Sequence, residues 1–366
     1  MISSELEQPG LTLEVESQAQ ASTRGLFPRV RFGDRWFNLL WMAPLTVAVL
    51  LLAVGAAILL RGFPAVQDLI TTHPGIMPTD APQGFPWWLR WQHFFNLLFL
   101  IPIIRSGLQI WAGRPRLYWR RPGAPGRDWL RIQKRMPAER QWSARDDAVH
   151  LPGWVGLPGR RLSTGLARSW HLGVDVLWLA NGVVFYVLLF STGQWTRIVP
   201  TSLEVFPNAL SAFIQYLSLD FPTHNSWVAY NGLQMLAYFV TVFIAAPLAV
   251  VTGLMQAPGI ARRLGTAKSA FLNVEVVRSI HVIVLGWFLM FTLVHVTLVF
   301  VTGAVGNLNH ITIGRDDGGW VGLVMFGIGI AALTAVWVAA TPLTLRKPTL
   351  VQRIGHAMLG PLKRLF

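Results

Sequence analysis

The chain of 366 residues contains no cysteine. It therefore forms no disulfide, holds no iron–sulfur cluster through thiolates and cannot attach a c-type haem covalently. A metal or prosthetic group in this protein has to be held without covalent attachment, and histidine is the leading candidate ligand.

Charged residues are scarce as well. They make up 13% of the chain, whereas 53% of the residues are hydrophobic and the mean hydropathy is positive. Several apolar segments are long enough to cross a bilayer as helices. The composition predicts an all-α integral membrane protein, a six-helix transmembrane bundle. No grouping of serine, cysteine or carboxylate residues suggests hydrolysis.

Hydropathy divides the chain into four regions. Residues 1–36 form a polar N-terminal segment whose first part we expect to be disordered, and residues 37–87 form an uncleaved anchor span with its loop. Residues 88–303 form a four-helix core with a basic loop at 112–169, and residues 304–366 form a last span and a basic tail. The predicted spans are 37–60, 88–111, 170–190, 227–255, 276–301 and 320–342, and a short helix at 209–219 is expected to lie on the membrane.

The positive charge follows the predicted topology. The net charge is +14, and 25 of the 31 lysines and arginines fall before the first span, in the loops after the second and fourth spans, or in the tail. By the positive-inside rule these segments face the cytoplasm. We therefore expect a multi-pass protein of the bacterial inner membrane with both termini cytoplasmic and no binding of nucleic acid.

The fifth span carries two histidines, His281 and His295. Their separation of 14 residues corresponds to about 21 Å along a helix axis. Fourteen steps of about 100° leave the two side chains within about 40° of one face. Histidine is costly in lipid and is usually functional there. One helix face thus presents an imidazole near each membrane surface, which suits two stacked metal centres.

Topology places two further histidines at matching depths. His93 lies near the outer surface at the start of the second span, and His171 lies near the inner surface at the start of the third. The histidines therefore form an outer pair, His93 with His295, and an inner pair, His171 with His281. Two imidazoles at one depth supply both axial ligands of a b-type haem iron that transfers single electrons. The pattern predicts two non-covalent b-type haems.

Four segments in this order resemble a known family. They are RWQHFFN at 90–96 with Ser-Gly at 106–107, ARSWHLG at 167–173, YNGLQ at 230–234 with Thr-Gly at 252–253, and Ser-Ile-His at 279–281 with Val-His at 294–295. They are similar to the core helices of the bacterial di-haem cytochrome b subunits of nickel–iron hydrogenase and respiratory formate dehydrogenase, the bacterial cytochrome b561 type. The resemblance covers residues 88–303 and implies the same two pairs of haem ligands.

The resemblance also implies a function. Such subunits relay electrons between membrane quinone and a peripheral or soluble oxidoreductase subunit, whose chemistry belongs to the partner. The chain would then be an electron-transfer subunit and not a stand-alone enzyme. The architecture is also similar to membrane cytochromes that accompany molybdenum-cofactor oxidoreductases. Unlike the family, this chain has an additional first span, a long basic loop and an additional last span, so we expect its core to be inverted in the membrane.

Several charged residues lie near the predicted haems. We assign Arg105 to the inner haem and Arg90 to the outer haem as partners of the propionates; Arg168, Arg278 and Arg197 lie at similar levels. Asp175 follows His171 by one helical turn on the same face. A lone carboxylate is expensive there, so two interpretations stay open: a structural pair with Arg105, or a proton acceptor for a quinol bound beside the inner haem.

Two other functions stay open. A proton-coupled transporter would use the span histidines and Asp175 as a relay and would be colourless. A ferric-reductase-like flavocytochrome would need a flavin and nucleotide site that the sequence lacks. A homo-oligomer also stays open. The remaining histidines are expected at the surface, and two of them (224 and 310) lie on the outer side, within reach of a partner or a quinone: His73, His150, His224, His310 and His356.

Overall fold

The computed structural model describes residues 27–119, 128–132, 147–149, 151–152, 155, 162–221, 226–257, 260–261 and 273–359. The expected disorder of the first residues, His150 and His224 lie outside these ranges. Six of the described helices are long and apolar enough to cross a membrane, which confirms the predicted fold class. In chain order the helices are α1 (Leu39–Leu60), α2 (Pro64–Thr72), α3 (Trp87–Ala112), α4 (Leu162–Ser191), α5 (Val205–Leu217), α6 (Gly232–Met255), α7 (Val274–Val301), α8 (Ala304–Thr312), α9 (Val321–Arg346) and α10 (Pro348–Leu359).

Asparagine side chains begin three of the spans. Asn38 accepts a hydrogen bond from a backbone N–H in the first turn of α1, and Asn273 does the same for α7. Asn231 forms a capping box with Gln234 at the start of α6. These side chains satisfy donors that a helix leaves unpaired at its N-terminus.

The core of the bundle consists of α3, α4, α6 and α7. Helices α3 and α4 pack along each other, and α7 packs against α6. In the middle of the bundle Ala245, Val284 and Phe288 form a buried cluster. Trp88, Leu189 and Ile198 form another at one end. These contacts hold the faces of α3, α4 and α7 that carry the span histidines.

Helix α6 contains a π-helical segment, Val240–Ala245. The Tyr186 hydroxyl on α4 donates to the Val242 carbonyl at 2.5 Å, and the Trp287 indole on α7 donates to the Thr241 hydroxyl at 3.2 Å. Such segments free backbone acceptors inside a helix and occur often near functional sites. Here the Val242 carbonyl bonds to α4 and the Thr241 hydroxyl bonds to α7, so the π-helical segment links α6 to both neighbours at mid-bundle.

The termini face of the bundle, which carries the described parts of both chain ends, has a small antiparallel sheet. Strands β1 (Arg29–Phe32), β2 (Arg35–Asn38), β3 (Leu117–Tyr118) and β4 (Asp128–Arg131) pair in the order β2-β1-β4-β3. The end of the polar N-terminal segment and part of the basic loop are therefore paired strands. We call this sheet and its loop the cap.

A buried ionic cluster fastens the cap. Arg116 donates to Asp128 at 2.8 Å and to both carboxylate oxygens of Asp147, and all three side chains are less than 5% exposed. The cap also contacts α7, because Ser279 donates to the Tyr118 carbonyl at 2.8 Å and accepts from Trp129 at 3.0 Å. The cap is therefore attached to α7 at Ser279, two residues before His281.

The boundaries of three predicted segments were wrong. Helix α4 begins at 162 and not at 170, so the basic loop is shorter than expected. The predicted loop at 302–319 contains α8, and the predicted tail contains α10, which packs against the start of α4. The membrane-surface helix expected at 209–219 is α5, which buries one face and exposes an apolar face that includes Leu210 and Phe213.

Candidate functional site

The four span histidines form two pairs inside the bundle. His171 on α4 and His281 on α7 have ring centres 6.3 Å apart, with the ring planes at 75°. His93 on α3 and His295 on α7 also have ring centres 6.3 Å apart, at 54°. We call the first the termini-side pair and the second the far-side pair. The structure thus brings together the histidines that were predicted to lie at the same depth in the membrane.

The spacing within each pair fits one metal ion between the rings. Two metal–nitrogen bonds of about 2 Å each, with half a ring on either side, amount to about 6 Å between ring centres. A direct imidazole hydrogen bond would bring the rings closer. Among the described residues no group of three or more His, Asp or Glu could hold a metal, so the donor set suits an ion whose other ligands come from a macrocycle.

The orientation of His171 is set by two acceptors on α3. Its Nδ1 lies 3.0 Å from the Ser106 hydroxyl and 3.1 Å from the Ile103 carbonyl. The Ser106 hydroxyl donates its own proton to the Pro102 carbonyl at 2.7 Å. Nδ1 therefore carries the hydrogen and donates it, which leaves Nε2 with a free lone pair for a metal.

His281 is held in the same way by α6. Its Nδ1 lies 2.9 Å from the Thr252 hydroxyl, which donates to the Leu248 carbonyl at 2.6 Å. In both cases a glycine follows the hydroxyl residue: an added Cβ would lie 3.3 Å from the His171 ring at Gly107 and 3.6 Å from the His281 ring at Gly253. The Ser-Gly and Thr-Gly dipeptides thus position the rings of His171 and His281, which together could bind one ion.

His295 of the far-side pair contacts two aromatic side chains. His295 stacks on Phe291, with ring centres 5.5 Å apart and planes at 4°. Tyr238 from α6 contacts His295 edge-on at 6.0 Å. These rings give His295 an apolar setting on one side.

Two arginines provide donors beside the pairs. Arg90 precedes His93 by three residues, and Arg278 precedes His281 by three, so each lies on the same helix face as its histidine. Arg90 donates to the Thr312 carbonyl at 3.3 Å, and Arg278 donates to Glu275 at 3.0 Å. Among the described residues the Arg90 Nε and Arg278 Nη2 atoms are buried without a hydrogen-bond acceptor. Such orphaned donors fit an anionic group such as a haem propionate.

Arg105 does not form the expected pair with Asp175. Its guanidinium donates to the carbonyls of Trp337 at 2.8 Å and Val155 at 3.2 Å, and to the Thr341 hydroxyl. Two of these partners lie on α9 and one lies in the basic loop. The prediction failed because depth in the membrane does not reveal which neighbour a long side chain reaches. Asp175 lies 3.7 Å from His171 Nε2. The assignment of Arg105 to a haem stays a prediction.

The expectation that His310 lies at the surface was wrong. Its side chain is 5% exposed and stacks on Phe85. Its Nε2 atom lies 2.8 Å from the Asp316 carboxylate. It is buried because α8, which was predicted as loop, folds over the far face. His73 is partly exposed and pairs with Glu204 at 3.2 Å, and His356 is exposed.

The family model described as prokaryotic cytochrome b561 matches residues 84–312. Comparisons with curated proteins and with solved structures gave no match. The matched residues include all four span histidines, both hydroxyl–glycine dipeptides and the four core helices. Members of this family are membrane proteins that bind b-type haem and transfer electrons. Because the match spans more than half of the chain, this protein belongs to the prokaryotic cytochrome b561 family.

Proposed function

We propose that this chain binds two b-type haems, one in each histidine pair, and relays single electrons across the membrane. The observation that carries the proposal is the equal spacing of the pairs: both have ring centres 6.3 Å apart, which leaves room for one iron between the two rings. His281 and His295 share α7, so the two sites are stacked along one helix, about 21 Å apart.

The residues around each site have separate tasks. The Nε2 atoms of His171 and His281 would hold one iron, while their Nδ1 donors fix ring orientation and tautomer. Arg90 and Arg278 would bind the propionates through their unpaired N–H groups. A haem held by two histidines supplies one-electron chemistry and no open position for oxygen.

We further propose that the electrons pass between the quinone pool and a peripheral or soluble oxidoreductase subunit, a molybdenum-cofactor enzyme among the candidates. The termini face then lies in the cytoplasm, as the distribution of lysine and arginine favours. In this orientation the termini-side pair is the inner site and the far-side pair is the outer site.

A visible spectrum with haem quantified per polypeptide tests the proposal. We expect the split α-band of two b-type centres and two haems per chain. A colourless protein would contradict the proposal and favour the proton-coupled transporter, and one haem per chain would contradict the two-site arrangement.

Single alanine variants at the four histidines test the pairing. His93→Ala and His295→Ala should each lose the same haem, whereas His171→Ala and His281→Ala should lose the other, because each iron needs both ligands. His356→Ala, at an exposed histidine, is the matched control and should keep both. Loss of both haems from every ligand variant would contradict independent sites.

A further inference from the structure

A series of ring contacts leads away from the far-side pair. The centre of the Tyr238 ring lies 6.0 Å from that of His295 and 5.0 Å from that of Tyr230. Tyr230 in turn lies 6.5 Å from Phe85, and Phe85 lies 6.0 Å from Trp227. Trp227 is partly exposed, so successive rings connect a histidine of the far-side pair with the protein surface. We call Tyr238, Tyr230, Phe85 and Trp227 the ring chain.

A buried cation fixes the outer end of the ring chain. Arg197 is 2% exposed, and its guanidinium carbon lies 5.7 Å from the centre of the Phe85 ring and 5.6 Å from that of Tyr230. The same guanidinium donates to the Pro82 carbonyl at 3.0 Å and to the Trp227 carbonyl at 2.9 Å. Arg197 therefore joins the two segments that carry Phe85 and Trp227 and keeps their rings in contact.

The ring chain ends on an acidic face, although the whole protein has a net charge of +14. This far face, opposite the termini face, consists of the segments 61–86, 192–231 and 302–320, which contain six carboxylates, three arginines and no lysine. Arg197 is buried, and Arg61 forms an ion pair with Asp220. Among the described residues of this face, the exposed charged side chains outside that pair are five carboxylates and one arginine: Asp68, Asp80, Glu204, Asp316, Asp317 and Arg315.

We propose that the far face docks a water-soluble one-electron carrier protein whose own docking surface is cationic, and that the ring chain conducts the electron between this partner and the far-side site. The proposal rests on the proposed function, because the far-side site has to hold a redox centre. Opposite charges on two surfaces steer their encounter, and electron-transfer contacts are among the smaller and weaker protein interfaces. An acidic partner or anionic lipid headgroups would be repelled by this face.

The transfer involves one electron and no proton. The electron leaves a ferrous iron in the far-side site, which becomes ferric, and the oxidised centre of the partner gains it. The rings are neither oxidised nor reduced; they supply a path through bonded and packed atoms. Removing a ring from this path leaves a gap across which electrons pass more slowly. Trp227, the ring nearest the surface, is therefore expected to control the rate of exchange with the partner.

Two charge variants test the docking surface in the full-length protein, held in nanodiscs of zwitterionic lipid. Asp80 is exposed and lies two residues before Pro82, at the outer end of the ring chain, and Asp34 is fully exposed on the termini face. Asp80→Lys and Asp34→Lys thus make the same charge change on opposite faces. The probe is a basic c-type cytochrome, and its succinylated, acidic form is the charge control. The measurement is the affinity of each probe as a function of salt concentration, which does not depend on haem in the membrane protein.

We expect the basic cytochrome to bind the parent at low salt and to dissociate at high salt, because salt screens surface charges. Asp80→Lys should bind it about five-fold more weakly, which is the worth of one close charge pair in water, and Asp34→Lys should bind as the parent does. Absence of binding, equal affinity in the two variants, or tighter binding of the succinylated probe would overturn the docking surface.

Two tryptophan variants test the ring chain. Trp227→Leu removes its outermost ring, and Trp320→Leu removes an exposed ring that lies at the start of α9, outside the ring chain. The measurement is stopped-flow oxidation of the dithionite-reduced protein by a saturating concentration of the ferric basic cytochrome, with haem quantified per polypeptide.

Oxidation should be several-fold slower in Trp227→Leu at unchanged haem content, whereas Trp320→Leu should keep the parental rate. Equal rates in the two variants would overturn the ring chain as the route while leaving the di-haem relay intact. Absence of haem from the parent would instead overturn the proposed function, and salt-dependent binding that Asp80→Lys weakens would still support the docking surface.

Discussion

Ser106 and Thr252 have the same relation to the rings that they contact. Each sits in the interior of a span, donates its hydroxyl proton to its own helix and accepts Nδ1–H from a histidine on another helix. Partners of this kind orient metal ligands and raise their basicity. Each also precedes a glycine whose missing side chain makes room for the ring. The termini-side pair is thus positioned by residues that touch no metal.

Replacing Thr252 with alanine should loosen the termini-side site without emptying the far-side site. Loss of such a partner lowers metal affinity by about 10- to 100-fold, so haem should dissociate faster from that site on dilution in detergent. Haem content over time, resolved by spectrum, is the measurement. Thr297→Ala is the matched control: Thr297 lies on the exposed face of α7, and its hydroxyl also donates to the backbone carbonyl four residues earlier. Equal haem retention in both variants would refute the role of Thr252.

Asp175 stays the candidate proton acceptor. Replacing it with asparagine should slow quinone-linked haem reduction and leave haem content unchanged, because the amide keeps the shape but cannot take a proton. Stopped-flow reduction by a short-chain quinol measures this rate. The control is Asp34→Asn, at a fully exposed carboxylate on the termini face. Parental rates in Asp175→Asn would remove the proton-acceptor interpretation.

The sequence was informative about the histidines for a physical reason. An imidazole inside an apolar span is rare, and depth is readable from position along a helix. The predicted pair of Arg105 with Asp175 was wrong, because depth in the membrane does not specify the direction in which a long side chain points around its helix. Depth also does not reveal that α9 lies beside Arg105. The role of Ser106 was visible only as one half of a family dipeptide, since serine inside a helix is common.

At the scale of elements, Arg116 joins two separate parts of the cap through Asp128 and Asp147. Burial lowers the pKa of Arg116, but the hydrogen bond and charge of Asp147 and the charge of Asp128 outweigh it, and the net pKa is raised. A group whose pKa is raised by folding stabilises the folded state until the pH exceeds that pKa. We therefore expect the ion pairs of Arg116 with Asp128 and Asp147 to stay intact as the pH rises above neutral.

Replacing Arg116 with methionine should release the cap. The change leaves Asp128 and Asp147 buried without their cation, and breaking a buried pair in this way costs about 3–5 kcal/mol. We expect rapid proteolysis in the 112–161 region, followed by gel electrophoresis, while the far-side haem spectrum is unchanged. Arg353→Met, at an exposed arginine of α10, should behave as the parent does. Equal protease resistance of the two variants would contradict the role of the cluster.

The spans were predictable and the cap was not. A span is encoded locally, by some twenty apolar residues in a row. The strands of the cap have two to four residues, carry charges and pair β1 with β4 across about a hundred positions. Such pairings depend on long-range contacts that short windows of sequence do not reveal. Helix α8 was missed because its glycine and asparagine residues are typical of turns.

At the scale of the whole molecule, the absence of cysteine makes the topology directly measurable. Asp34 on the termini face and Asp68 on the far face are both exposed. In intact cells a membrane-impermeant maleimide should label the Asp68→Cys protein and leave the Asp34→Cys protein unlabelled, because the termini face is proposed to be cytoplasmic. Both variants should react after lysis, which serves as the control. The reverse pattern would place the termini outside.

The two spans outside the family match relate differently to the core. Helix α1 buries only Ala57 and exposes most of its surface, whereas α9 is tied to α3 through Arg105. The first span was predicted as an anchor, and its exposure suits that role in lipid. The contact of α9 with α3 could not be predicted, because an apolar helix has the same kind of sequence whether it contacts lipid or protein.

Helix α7 contributes one histidine to each pair, while the opposing histidines come from two different helices. A displacement of α7 along its axis would therefore change the spacing of both histidine pairs at once, and a displacement of α3 or α4 would change one. If the chain binds the two proposed haems, a signal that reaches α7, for instance through the cap at Ser279, would change both midpoint potentials at once.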